Sequence, residues 1–393
     1  MTLNTNQRPA ASEPMGQIAT SRARIWDLPT RAFHWLLVLA VIIAAKTGFF
    51  GPANSLDWHL WSGYAIGALI VFRFVWGLFG SEFSRLDRLF GALRQLPEHA
   101  GGLLRLRPKH YLGHNPAGSL MIIALALVLL AITATGIIVL GGVEKQGVLA
   151  AVTSYDLGHL AKGAHQLLAY LLMAMIVGHL VGVFGEILLL RVPLVRGMIT
   201  GWLPVPSDTL RSKWRPARPM LALLGAGFAV IAIGAPLLPL SGLPAHGVPT
   251  PVVAGSTYAK ECGACHWSFH PSLLPKASWK LIMSSLDQHF GDDASLPEKS
   301  AAKISGYLQA NAAETADTEP ANRLRDVNPD DPTRITKTQF WQRQHHELAS
   351  NLFTNAPVKS KANCAACHRD ALTGHFDDQA IDIPQSTQTG DSP

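Results

Sequence analysis

The chain has 393 residues, of which 48% are hydrophobic and only 15% are charged. Soluble domains carry about 25% charged residues, so this composition excludes a wholly soluble protein. The formal net charge of +6 does not indicate a nucleic-acid-binding protein, because the basic residues stand beside apolar segments, where they orient membrane helices.

Five apolar segments are long enough to cross a membrane, since a spanning helix needs about 20 mostly apolar residues. They are Phe33–Phe50, Trp58–Phe79, Ala117–Leu140, Ala164–Leu190 and Met220–Leu240. The pattern predicts a disordered polar tail at residues 1–24, an all-helical membrane domain at 25–215 and a fifth spanning helix at 216–240.

The basic residues between these segments predict the orientation in the membrane. The N-terminal residues and the loops after the second and fourth segments hold 16 Lys and Arg, whereas the other two loops hold only Lys145 and Lys162. Because cytoplasmic loops carry the excess of basic residues, we expect a cytoplasmic N-terminus. Five spans then place the C-terminal residues on the outer side of the membrane.

Four histidines within the spans form two pairs of matching depth. His34 and His179 fall near the cytoplasmic surface, and His59 and His165 fall near the outer surface. His165 and His179 are 14 residues apart, which is about 21 Å along one helix face. Intramembrane histidines are costly and usually functional, and facing side chains of a bundle core bind cofactors. The pattern predicts two b-type haems, each with two histidine ligands.

Arg73 and two further histidines lie close to these pairs. Arg73 follows His59 by 14 residues, which places it on the same helix face at the depth of the cytoplasmic pair. A buried arginine needs a partner, and a haem propionate would serve, although the side chain could instead snorkel to the surface. His114 and His159 are spare ligand candidates and are more typical of interfacial residues.

The C-terminal part is predicted to be a small soluble domain. Residues 241–257 are rich in Pro, Gly and small residues and indicate a linker. The domain would cover residues 258–380, followed by a tail at 381–393. Its strongest helical pattern runs over Ser278–Phe290, and the polar, proline-containing residues 311–335 are predicted to form a long loop.

All four cysteines lie in two CxxCH motifs, CGACH at Cys262–His266 and CAACH at Cys364–His368. CxxCH attaches a c-type haem. The thiols of Cys262, Cys265, Cys364 and Cys367 would bond the haem vinyl groups, and His266 and His368 would be the proximal iron ligands. A zinc ribbon separates its cysteine pairs by only about 15–20 residues, and a redox dithiol does not explain a histidine after both motifs.

Each of these irons needs a sixth ligand or an open position. Met283 is the only methionine after residue 240, so at most one of the two haems can have a His/Met ligand pair. Histidines are plentiful, and His289 and His345 each lie in or beside a predicted helix. Two bis-histidine haems are therefore the favoured interpretation, with lower potentials than His/Met ligation would give.

The membrane domain resembles the bacterial cytochrome b561 family, which includes the b-type subunit of nickel–iron hydrogenases. The resemblance covers about residues 25–200 and lies in WDLPTRAFHWLL, GHNPAGSLM and HQLLAYLLMAMIVGHLVGV. It implies a four-helix core with two non-covalent b haems on His34, His59, His165 and His179, quinone-linked electron transfer, and a bacterial inner membrane.

The soluble domain resembles the di-haem cytochrome c family over about residues 258–378. The resemblance lies in CGACHWSFHPSLLPKASWKLIMSSLDQHFGDDASL and VKSKANCAACHRDALTGHF. It implies two covalent c haems in the periplasm, with His289 and His345 as distal ligands. The neighbouring His346 leaves the second of these assignments open.

Together these observations predict an all-α fold: a transmembrane four-helix di-haem bundle with a fifth spanning helix, then a small α-helical di-haem cytochrome c domain. We expect electron transfer from membrane quinol through two b haems and two c haems to a soluble periplasmic acceptor. One alternative is a terminal oxidoreductase, in which one c haem binds a small molecule. The other is a structural anchor whose membrane part holds no haem.

Overall fold

The computed structural model describes residues 20–51, 55–105, 111–206, 215–221, 223–225, 227 and 244–384. Most of the predicted fifth span, Met220–Leu240, lies outside these residues, as does most of the predicted tail at 381–393. The described part of the chain is mostly helical.

Four helices in this part are long and apolar enough to cross a membrane. They are α1 (Leu28–Phe50), α2 (Leu56–Phe79), α5 (Pro116–Gly142) and α6 (Tyr155–Leu190). Large apolar side chains on them, such as Leu167, Val177 and Leu188, are exposed, as expected for helix faces that contact lipid. The first four predicted spans are thus confirmed. Helix α6 begins at Tyr155, nine residues before the predicted Ala164, so its first turns lie outside the predicted apolar segment.

The chain forms two compact units. The first comprises Met1–Leu36, Leu69–Ala126 and Met173–Gly227. It includes one part of each of the four long helices α1, α2, α5 and α6, together with the short helices α3 (Leu86–Leu93), α4 (Leu96–Leu104) and α7 (Leu194–Thr200).

Strand β1 (Thr20–Arg24) pairs antiparallel with β2 (Trp202–Pro206) in this first unit, from Thr20 opposite Pro206 to Arg24 opposite Trp202. Their buried side chains form a small cluster with Ile25 and Trp26. The prediction of a disordered tail up to residue 24 is therefore wrong for residues 20–24, because alternating Ala23 and Ile25 provide an apolar face that β2 covers.

Glu82 anchors an ionic network in the same unit. It is 4% exposed and accepts hydrogen bonds from Arg88 and from the main-chain nitrogen and Nε of Arg215, at 3.1 and 2.9 Å for Arg215. The hydrogen bonds from Arg215, together with Arg88, lower the pKa of Glu82 to about 2. The carboxylate therefore stays ionised and joins the chain after α7 to the residues that follow α2.

The second unit comprises Leu37–Ala68, Leu127–Leu172 and Phe228–Pro393. It includes the remaining parts of the four long helices and all described residues of the C-terminal domain. Helices α5 and α6 approach closely at two glycines, because a Cβ atom added to Gly142 would lie 2.6 Å from the Cα of Gly158. Only glycine permits this contact.

Helices α8 (Thr257–Cys262), α9 (Lys276–Ser284) and α10 (Glu298–Ala310) form the frame of the C-terminal domain. The buried core between them contains the side chains of Tyr258, Leu274, Trp279, Ile282, Ile304, Leu308 and Ala312. Helix α9 ends at Ser284, earlier than predicted, and a 3₁₀ turn at Leu286–Gln288 follows. The Ser284 and Ser285 hydroxyls donate back to the Leu281 carbonyl, a contact that competes with helix continuation.

The predicted loop at residues 311–335 is more ordered than its polar composition indicates. It contains α11 (Glu319–Arg323), and Ala312, Ala313 and Ala321 are fully buried. The Arg325 guanidinium donates to the carbonyls of Ala313 and Ala316 at 2.8–3.2 Å. Small side chains let this segment pack closely, and the arginine satisfies main-chain oxygens that would otherwise be buried without a partner.

The described residues of the predicted linker, 244–257, are held by hydrogen bonds. The Val252 nitrogen donates to the Leu372 carbonyl at 3.1 Å, and the Thr250 carbonyl lies 3.0 Å from Nε2 of His270. The carbonyl of Gly247 accepts from the Asp317 nitrogen at 2.8 Å. This segment therefore packs as part of the C-terminal domain.

Candidate functional site

The first CxxCH motif begins at the end of α8. The hydroxyl of Ser256 caps this helix by accepting from the Ala259 nitrogen at 3.2 Å. The structure places His289 opposite His266, with ring centres 6.2 Å apart and ring planes at 17°. The His266 Nδ1 lies 2.8 Å from the Trp267 carbonyl, so Nδ1 carries the proton and Nε2 is left to bind a metal.

The second motif lies on a 3₁₀ turn at Cys364–Ala366. His345, at the end of α12 (Gln339–Gln344), faces His368 with ring centres 6.3 Å apart. Its Nδ1 lies 2.8 Å from the Trp341 carbonyl, and the Trp341 ring stacks on it at 4.4 Å. His346 is 68% exposed and contacts Arg343 and Glu347. The structure therefore brings His345, and not His346, next to His368.

His59 on α2 and His165 on α6 lie with ring centres 6.0 Å apart. We call them the outer pair, after their predicted depth. Nδ1 of His59 lies 3.1 Å from the Ala44 carbonyl, and Nδ1 of His165 lies 3.0 Å from the Ile132 carbonyl. Both rings therefore carry their proton on Nδ1, which leaves both Nε2 atoms free.

His34 on α1 and His179 on α6, called the inner pair after their predicted depth, lie in the first unit. The two side chains are close enough to interact electrostatically. Nδ1 of His34 and Nη1 of Arg73 are buried and have no hydrogen-bond partner within the described residues. A buried guanidinium nitrogen without an acceptor is what a haem propionate would satisfy.

These distances test whether the residues fit haem. An imidazole nitrogen binds a metal ion at about 2.0–2.1 Å, so two imidazoles on opposite sides of one metal have ring centres about 6 Å apart. The three measured pairs lie at 6.0, 6.2 and 6.3 Å. They fit two-histidine ligation. Met283 instead packs against the core cluster around Trp279.

Four of the other histidines make contacts of a different kind. Nδ1 of His270 lies 2.8 Å from the Ser272 hydroxyl, and its Nε2 meets the Thr250 carbonyl. His114 packs on Trp26 with ring centres 4.5 Å apart, and His159 stacks on Tyr155. His375 contacts the Glu144 carbonyl at 3.1 Å. None of these four rings needs a metal to explain its position.

Sequence reasoning missed the contacts that the residues after the second motif make with the start of α2 and with the loop after α5, all within the second unit. Gln379 Nε2 donates to Asp57 at 2.6 Å, and Gln146 Nε2 donates to Asp377 at 2.6 Å. The same segment returns to the motif, because the Asp382 nitrogen donates to the Cys367 carbonyl at 2.8 Å. Asp57 lies two residues before His59 on α2. No local pattern marks these polar residues.

A second connection joins the two CxxCH motifs. The indole nitrogen of Trp267, directly after His266, donates to the Ala362 carbonyl at 2.7 Å, and Ala362 lies two residues before Cys364. The three histidine pairs of the second unit are thus linked in series through hydrogen-bonded segments.

Lys145 holds the C-terminal domain on the loop between α5 and α6. Its side chain is fully buried, and Nζ lies 2.8 Å from an Asp317 oxygen and 3.2 Å from the Thr153 carbonyl. The same Asp317 oxygen accepts from the Tyr155 nitrogen at 2.8 Å. Nearby, burial and Asp378 raise the pKa of Glu144 to about 7.

Two family models match this chain, one on each side of the predicted linker at residues 241–257. Residues 25–201 match the family model of the prokaryotic cytochrome b561, and residues 258–376 match that of the dihaem cytochrome c. A probable Ni/Fe-hydrogenase B-type cytochrome subunit of Azotobacter vinelandii is 24% identical, over 24% of this chain and 50% of that protein. The corresponding protein of Azotobacter chroococcum mcd 1 is 26% identical with the same coverage. The chain spans about half the length of these curated relatives.

Two solved structures match the C-terminal part. The diheme cytochrome c of Rhodobacter sphaeroides is 40% identical, over 32% of this chain and all of that one, with a TM-score of 0.29. The diheme cytochrome c of Shewanella baltica OS155 is 33% identical, over 34% of this chain and 95% of that one, with a TM-score of 0.28.

Proposed function

Because this chain belongs to the dihaem cytochrome c family through residues 258–376 and carries a prokaryotic cytochrome b561 domain at residues 25–201, we propose that it oxidises membrane quinol and delivers the electrons to a soluble periplasmic acceptor. It is a multi-pass membrane protein with b-type and c-type haem domains and a membrane electron-transfer role. The quinol, the acceptor and the direction of flow belong to the proposal.

The proposal includes four haems per chain. Two b haems would bind to His34 with His179 and to His59 with His165, with Arg73 beside a propionate. Two c haems would bind to the cysteines of the CxxCH motifs, between His266 and His289 and between His368 and His345. Bound haem supplies a one-electron redox centre. The protein supplies neutral imidazoles, whose Nδ1 protons are held by main-chain carbonyls where these contacts are described.

The observation that carries the proposal is the hydrogen-bonded connection from α2 to the second motif. Asp57, two residues before His59, accepts from Gln379, and the segment that contains Gln379 bonds to Cys367. This supports electron passage from the outer pair, His59 and His165, to the Cys364–His368 motif first. Trp267 then leads to the Cys262–His266 motif, which we assign as the site that serves the soluble partner.

A second histidine near each proximal ligand favours an electron carrier over a terminal oxidoreductase, which needs an open iron position. The location is also part of the proposal. The excess of Lys and Arg in alternate loops supports a bacterial inner membrane protein with a cytoplasmic N-terminus and a periplasmic haem domain.

Reduction of the purified protein by a quinol tests the function, with the b and c absorption bands followed separately. We expect the b bands and then the c bands to be reduced. The proposal fails if dithionite reduces all bands but quinol reduces none of them. Acidified acetone should extract about half of the total haem, since thioether-bound haem stays with the chain.

Two double variants test the order of the c sites. With Cys364→Ala and Cys367→Ala, quinol should reduce the b bands but leave the remaining c haem oxidised. With Cys262→Ala and Cys265→Ala, the remaining c haem should still be reduced, but electrons should not reach a soluble acceptor. Equal c reduction in both variants would contradict the proposed order.

A further inference from the structure

The two histidines of the outer pair, His59 and His165, each contact a threonine hydroxyl and a main-chain carbonyl of a neighbouring helix. His59 contacts α1, where Thr47 lies three residues after the Ala44 carbonyl, and His165 contacts α5, where Thr135 lies three residues after the Ile132 carbonyl. Nδ1 of each histidine lies 3.2 Å from the threonine Oγ1 and 3.0–3.1 Å from the carbonyl.

The threonine hydroxyls accept in these contacts. Thr47 Oγ1 donates its hydrogen to the carbonyls of Ile43 and Ala44, at 2.8 and 3.1 Å. Thr135 Oγ1 donates to the carbonyls of Ala131 and Ile132, at 2.8 and 3.0 Å. A hydroxyl has one hydrogen and two lone pairs, so each oxygen accepts from the imidazole N–H. Each Nδ1–H is thus shared between a hydroxyl and a carbonyl.

A glycine follows each threonine and lets the ring approach the helix. A Cβ atom on Gly48 would lie 3.0 Å from Cε1 and 3.3 Å from Nδ1 of His59. A Cβ atom on Gly136 would lie 3.3 Å from Cε1 and 3.5 Å from Nδ1 of His165. A Cβ atom at Gly48 would therefore require the His59 ring to move by a few tenths of an ångström.

We propose that Thr47–Gly48 and Thr135–Gly136 are a duplicated positioning device, which fixes both imidazoles of the outer pair with Nε2 toward one iron and lowers the potential of that site. The physical reason is that an acceptor at the second ring nitrogen fixes the tautomer and makes the ligating nitrogen more basic, which stabilises the oxidised metal. The inference rests on the b-type haem that the proposed function assigns to His59 and His165.

The inner pair lacks one part of this arrangement, because Nδ1 of His34 has no hydrogen-bond partner within the described residues. The device therefore distinguishes the two membrane sites. Substitutions in it should change one b haem and leave the other as it is.

Redox titration of the full-length protein tests the threonines. In Thr47→Val and Thr135→Val, one of the two b components should shift to a higher midpoint potential, with a larger shift in the double variant. Thr47→Ser, which keeps the hydroxyl, should restore the wild-type value. Thr133→Val is the matched control, because Thr133 also bonds back along α5, to the Leu129 carbonyl at 2.9 Å, but does not contact the pair. Wild-type titration of both valine variants would overturn the proposal.

Haem content and electron paramagnetic resonance of the same protein test the glycines. Gly48→Ala should shift the low-spin signal of one b haem, and Gly136→Ala should shift it less, because its ring contact is longer. Gly163→Ala, on α6 with no heavy atom near the added Cβ, is the control. The covalent c haem reports that each variant has been assembled.

The outcomes separate this inference from the proposed function. If the wild-type protein holds no extractable haem, the b-haem assignment itself fails. If it holds b haem and the Gly48→Ala and Gly136→Ala spectra equal that of Gly163→Ala, only the positioning inference fails.

Discussion

At the residue scale, the paired histidines of the C-terminal domain predict which substitutions open an iron. His289→Ala and His345→Ala should each convert one c haem to a high-spin form that binds carbon monoxide, because each removes the ring that faces a proximal histidine. His346→Ala should have little effect, since His346 points to solvent. The reduced spectrum with carbon monoxide measures this. Binding in His346→Ala but not in His345→Ala would move the assignment by one residue.

The membrane pairs lead to a second prediction at this scale. His34→Ala and His179→Ala should lose the same b haem and give the same spectrum, because both residues lie in the first unit. His59→Ala and His165→Ala should lose the other. Low-temperature difference spectra distinguish the two b components. The pairing is contradicted if His34→Ala matches His59→Ala.

Glu82 leads to a prediction about pH. Its pKa is lowered from 4.5 to about 2 by Arg215 and Arg88. A carboxyl with a lowered pKa contributes stability above its unfolded pKa and loses that contribution as the pH falls toward the folded value. Thermal unfolding should therefore become easier between about pH 4.5 and pH 2. Glu82→Gln should be less stable than wild type at pH 7, and the difference should disappear at the low end of this range.

At the element scale, the attachment of the C-terminal domain to the loop between α5 and α6 depends on Lys145. Only the lysine of this ion pair is fully buried, and the Asp317 side chain is 22% exposed. Lys145→Ala should leave this half-buried carboxylate without its cation and loosen the contact. Limited proteolysis at residues 244–257 measures the loosening. Lys299→Ala, on the exposed side of α10, is the control and should be cut at the wild-type rate. Equal cutting of both variants would show that the ion pair does not hold the domain.

The positions of helix ends could be predicted only in part. Hydropathy alone places α1, α2, α5 and α6, because an uninterrupted apolar run of this length has no other stable form in lipid. The end of α9 depends on two serine hydroxyls that return to the Leu281 carbonyl. The apolar periodicity continues past Ser284 through Leu286, so it predicts a longer helix than the backbone forms.

At the scale of the whole molecule, we predict that the C-terminal domain folds alone, since about 120 residues is an ordinary domain size. Residues 258–380 include both CxxCH histidines and the two histidines that face them and should give a low-spin di-haem cytochrome when exported with haem-attachment machinery. A fragment of residues 244–384 should melt at a higher temperature, because it keeps the contacts of Thr250 and Val252. Equal melting temperatures would show that these contacts add nothing.

The sequence by itself determined the features that a short stretch of chain encodes. Four spans, two CxxCH motifs and the set of candidate histidines follow from hydropathy, covalent chemistry and the cost of a polar group in lipid. Each depends on neighbours in the chain, so no distant contact can change it.

Only the tertiary structure decided which groups meet. It brings His345 rather than His346 to His368, sets Thr47 and Thr135 against the outer histidines, and joins Gln379 to Asp57. These contacts link residues that are 12 to 322 positions apart. Their partners are chosen by how the helices pack, and a polar side chain has the same local sequence signal whether its partner is water or a distant residue.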